Sequence, residues 1–195
     1  MKKFLTFILS LLSSLFWFVL MLSFSGAEMT FLTLLCAIVH EVGHMLVLLF
    51  LNKDFSFPKA VTSGFRIKTN SELSYRDEIL VALGGPAINL VLFLSLISFM
   101  PTLAVINLVT AISNLLPLKD FDGYKIIYDL ISLFIGCQAS ERVMSHITVA
   151  VSAVMVFLSL FMIMASNGGY WIFFIFFIVL IKQILFLQKH SFFEH

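Results

Sequence analysis

Apolar residues run through this chain in long blocks broken by few polar positions. A helix needs about 20 mainly apolar residues to cross the hydrocarbon core of a bilayer. Blocks of that kind lie near residues 4–24, 30–51, 79–99, 101–118, 146–166 and 169–187. A polar stretch, 52–77, separates the second from the third, and a shorter mixed stretch, 119–145, separates the fourth from the fifth. The pattern predicts an all-α polytopic membrane protein with about six transmembrane helices. In the first polar stretch Val61, Phe65 and Ile67 partly alternate with polar residues around Ser63 and Gly64. That alternation is open to two readings, a small β-hairpin between helices 2 and 3 or a plain loop. In the second, Ile127, Leu130, Ile131 and Phe134 recur at helical spacing. They predict an amphipathic helix over 124–135, lying at the cytoplasmic interface.

Composition agrees with this solvent. The 195 residues are 61% hydrophobic and only 12% charged, where a soluble domain is nearer half apolar and a quarter charged. Length suits one domain spanning 1–195. The net charge of +1 gives no ground for a nucleic-acid partner. The placement of charge is more informative. With a cytoplasmic N-terminus and six spans, all twelve Lys and Arg fall on or near the cytoplasmic side. The outer connections, near 25–29, 100 and 166–169, carry none. The chain is therefore expected in the cell membrane as a multi-pass protein with both termini cytoplasmic. The basic start and Ser25-Gly26-Ala27 resemble a secretory signal, but the apolar run is longer than a signal core and is read as a retained span. Cys36 and Cys137 suggest no disulfide framework.

The second apolar block carries a cluster of three ionisable residues at its centre, and such residues are costly in a bilayer and mark functional sites. The segment His40-Glu41-Val42-Gly43-His44 has the form H-E-x-x-H. Two histidines four residues apart share a helix face and can bind one zinc ion, and the glutamate between them can accept a proton from water. A third ligand is needed for a catalytic zinc site. The remaining histidines, His146, His190 and His195, fall at an interface or in the C-terminal tail. Asp120 and Asp122 lie where the fourth block reaches the cytoplasmic side, after the helix breaker Pro117 and before Gly123. Spacing alone does not choose between these aspartates. Asn89 places an amide in the third block, for helix–helix hydrogen bonding or for contact with a substrate backbone or oxyanion. Gly84, Gly85 and Pro86 are expected to kink or loosen that helix.

These motifs occur in a telling order: HEVGH, then Gly85-Pro86-Ala87-Ile88-Asn89, then Asn114-Leu115-Leu116-Pro117 leading to Asp122-Gly123. Together they resemble the site-2 protease family of intramembrane zinc metalloproteases, over a core of about residues 30–130. Segments 1–24 and 146–187 would be accessory helices. The lack of a PDZ or nucleotide-sensing insert resembles the minimal six-span bacterial branch, which includes sporulation-factor-processing members. The resemblance implies one Zn2+ per chain held by His40, His44 and Asp122, with Glu41 as catalytic base and Asn89 near substrate. It implies a membrane-associated hairpin beside the active site, whose strand edge could pair with an unwound substrate. It also implies a single-span or multi-span membrane-protein substrate, with a regulatory membrane protein or a second copy as further candidate partners. The competing class is a non-enzymatic zinc-binding membrane protein, an inactive scaffold or a transporter. A transporter would repeat polar ligands across several spans, and here they are expected to cluster in one site.

Overall fold

The computed structural model describes residues 2–53, 55–61, 64–69, 73–119, 121–166 and 180–181. Nearly all of the expected sixth span, 169–187, lies outside the described residues, as do Asp120, His190 and His195. Among the described residues, five helices and one two-stranded sheet occur in the order α1 (Lys2–Phe50), β1 (Phe55–Val61), β2 (Gly64–Thr69), α2 (Tyr75–Leu96), α3 (Pro101–Asn114), α4 (Asp122–Ile135) and α5 (Cys137–Ser166). Among the described residues, three helical segments are long and apolar enough to cross a membrane: Gly26–Phe50, Tyr75–Leu96 and Cys137–Phe161. Large apolar side chains point outward from them, Phe50 at 85% exposure, Leu94 at 71% and Phe157 at 69%. Such a surface suits hydrocarbon rather than water, and it marks a membrane protein.

The chain divides into two compact units, Met1–Leu115 and Leu116–His195. In the first, α1 absorbs the first two expected spans. It changes direction at Gly26, whose φ of 75° and ψ of 167° are open to a residue without Cβ. A single glycine thus replaces the loop expected over 25–29. The chain leaves α1 through Asn52, at φ 51°, and forms β1 and β2, which pair antiparallel from Phe55 opposite Thr69 to Val61 opposite Gly64.

Helix α2 starts where the sequence supplies a cap. Ser74 Oγ accepts the Asp77 amide at 3.2 Å, and Asp77 and Glu78 lie in the first turn, where the helix dipole favours acids. The helix runs through Gly84, Gly85 and Pro86 without ending. Gly84 packs against Gly43 of α1 so closely that a Cβ on Gly43 would collide with the Gly84 carbonyl oxygen, and one on Gly84 would lie 2.6 Å from the Gly43 oxygen. Small residues that bring backbones together are a main source of helix association in a bilayer.

Helix α3 opens with Pro101 at its first position, where a missing N–H costs nothing. It has 14 residues against the expected block of 101–118, so it is about 21 Å long, short of a hydrocarbon core of about 30 Å. It stops at Leu115 because the residue before Pro117 disfavours helical backbone. Helix α3 packs on both α1 and α2.

In the second unit α4 and α5 pack together, separated by Gly136 at φ 81°. Thr148 Oγ1 of α5 donates to the Pro117 carbonyl at 3.0 Å, which ties the segment before α4 to α5. α4 matches the expected amphipathic helix, with one difference. Its buried residues are Gly123, Asp129 and Ser132, while Leu130, Leu133 and Phe134 are exposed. α5 begins at Cys137, earlier than the block at 146, because its first turns are helical but polar.

Candidate metal centre

His40 and His44 lie on one face of α1 and are buried, at 4% and 8% exposure. Their rings meet edge to face, with centroids 4.8 Å apart and an interplanar angle of 86°. One ligand nitrogen of each lies within 4.8 Å of the other.

The ring orientations are set by α2. His40 Nδ1 faces Asn89 Oδ1 at 3.0 Å, and His44 Nδ1 faces the Val81 carbonyl at 2.7 Å. Both partners are acceptors, so each ring carries its proton on Nδ1 and has Nε2 as its electron-pair donor. A second contact at His44 asks for the opposite: the Gly85 amide approaches Nδ1 at 3.3 Å. A carbonyl oxygen can only accept, and the Val81 contact is far shorter, so it decides the tautomer.

Gly85 clears the space beside both ligand atoms. A Cβ there would lie 2.5 Å from His44 Nε2 and 2.6 Å from both Nε2 and Cε1 of His40. Two Nε2 atoms beside a position that only glycine leaves open suit a divalent metal ion that takes imidazole ligands. Glu41, half-buried, follows His40 directly on α1.

The other expected residues fall as follows. Asp122 is the first residue of α4, in the second unit, and is half-buried. Asn89 is fully buried, and its amide Nδ2 donates to Asn107 Oδ1 at 2.8 Å and to the Cys36 carbonyl at 3.4 Å. Its amide thus engages protein groups at both ends, an arrangement of the helix–helix hydrogen-bonding kind that was one of the two readings of this residue. Asn114 donates to its own helix at Thr110, and exposed His146 contacts the Arg142 carbonyl one turn back. Cys36 is buried one turn before His40. Asn107 escaped the sequence reading. Its signal was a lone amide in the fourth apolar block, of the same kind as Asn89 in the third.

No protein-family model and no curated protein matches the chain. Among solved structures it is similar in fold to "Site-2 Protease from Methanocaldococcus jannaschii". The TM-score is 0.63 and the identity 19%, over 93% of this chain and 87% of that one.

Proposed function

We propose that this chain is an intramembrane zinc metalloprotease that hydrolyses a peptide bond within or near the transmembrane segment of a membrane-protein substrate. The observation that carries the reading is the buried His40–His44 pair on an apolar helix, each ring held at its Nδ1 by a group of α2. The fold likeness to a site-2 protease supports it.

Asp122 is the third ligand in this reading. A pair of histidines with a carboxylate is a donor set of catalytic zinc. A zinc ion held there supplies a Lewis acid that polarises the scissile carbonyl and acidifies water. Glu41 accepts the proton of the attacking water and passes it to the leaving amine nitrogen, acting in turn as base and acid. His40 and His44 would hold the ion and keep their positions throughout. The site opens to the cytoplasm, because the Lys and Arg residues cluster on that side of the six-span topology proposed for the chain. The strand edge of β1 or β2 is the place for an unwound substrate segment to pair.

The test is cleavage of single-span peptides by purified protein in liposomes. Cleavage abolished by a zinc chelator and restored by zinc is expected. A chain that binds zinc but cleaves none of a broad panel, under conditions where a known intramembrane protease is active, would favour the scaffold reading instead.

A further inference from the structure

We infer that Asn107 is a positioning residue for this metal site, acting through Asn89 to hold His40 in the tautomer that presents Nε2. The inference rests on the zinc reading above. Three hydrogen bonds run in series from α3 to α1. Asn107 Nδ2 donates to the Leu103 carbonyl at 2.9 Å. Asn107 Oδ1 accepts from Asn89 Nδ2 at 2.8 Å. Asn89 Oδ1 accepts from His40 Nδ1 at 3.0 Å.

The direction of the series is fixed at its far end. An amide side chain can turn over and exchange its oxygen for its nitrogen, and an imidazole can carry its proton on either nitrogen. The Leu103 carbonyl can only accept, so the NH2 of Asn107 must face it. The oxygen of Asn107 then faces Asn89, whose NH2 turns towards it, and the oxygen of Asn89 turns to His40. His40 must therefore place its proton on Nδ1. The Cys36 carbonyl favours the same orientation of Asn89, but at 3.4 Å it is the weaker anchor. Asn89 and Asn107 are 0% and 1% exposed, so neither amide is open to bulk water. Removing the acceptor at 107 leaves Asn89 free to turn its NH2 towards His40. The ring then gains a donor where it needs an acceptor, and its proton moves to Nε2.

The experiment uses the full chain in detergent, with Asn107→Leu, Asn107→Ala and Asn107→Asp. Zinc affinity is read by chelator competition, and the tautomer of His40 by nitrogen-15 spectra of the metal-free, histidine-labelled protein. Asn107→Leu and Asn107→Ala are expected to weaken zinc binding about tenfold, within the range for outer partners of metal-ligating histidines, and to give mixed His40 tautomers. Asn107→Asp keeps the acceptor and is expected to restore both; if Asn107→Leu does not fold, Asn107→Ala carries the comparison. Wild-type affinity and tautomer in Asn107→Ala would overturn the inference, as would a loss that Asn107→Asp does not rescue. A wild type that binds no zinc would overturn the metal reading, while the tautomer spectra would still report whether Asn107 orders His40.

Discussion

An added methyl group at Gly85 would sit 2.5 Å from Nε2 of His44 and 2.6 Å from that of His40. Side-chain rings can swing away from such a group more easily than backbone can, so the fold should survive while the ligand geometry does not. Gly85→Ala is therefore expected to lower zinc affinity tenfold or more, on the order seen when groups that orient ligands are lost, with helical content unchanged. Undiminished zinc binding in that variant would mean that the metal sits elsewhere. The histidines and Glu41 were legible in the sequence because H-E-x-x-H ties chemistry to helical spacing. Their tautomers were not. Those depend on Val81 and Asn89, more than thirty residues away along the chain, and no local pattern encodes that pairing. Asn89 itself stood out as polar in an apolar run, but whether its amide faces substrate or a histidine is decided by packing alone.

The contact of Gly43 with Gly84 governs how α1 and α2 meet. Neither glycine can gain a Cβ without striking the backbone oxygen of the other, and backbone inside a helix cannot yield as a side chain does. Gly43→Ala should destabilise the protein by about 1–3 kcal/mol, the usual scale of overpacking, seen as a lower thermal midpoint in detergent. An unchanged midpoint would show that the helices do not approach at this point. Element positions were read well where hydrophobicity and breakers coincide, as at Pro101 and Pro117. They were read less well where helix and apolar block diverge. Hydropathy sees a loop at 25–29, where Gly26 bends one helix into the next, and it misses the polar first turns of α5. It also could not choose hairpin or loop for the stretch in which β1 and β2 now pair, since alternation over so few residues is weak.

For the molecule as a whole, the apolar exterior of α1, α2 and α5 sets the problem that a substrate of the proposed protease would have to solve. A transmembrane helix conceals its peptide carbonyls in its own hydrogen bonds, and in hydrocarbon each exposed backbone group costs several kcal/mol on the order of an unmade bond. Substrates should therefore carry residues that weaken a helix. Replacing such a segment by a Leu/Ala block is expected to slow cleavage at least about tenfold, the equivalent of 1.4 kcal/mol in the barrier, and an unaltered rate would argue that no unwinding is needed. The membrane class was plain from composition, and the order of the motifs pointed to the same fold as the structural likeness. The most direct measurement compares wild type with Glu41→Gln, each assayed for bound zinc and for cleavage of single-span peptides in liposomes. The proposed chemistry predicts equal zinc in both, with cleavage by wild type and a loss of at least about a hundredfold in the variant, the scale of a general acid–base contribution. Full cleavage by Glu41→Gln would contradict it.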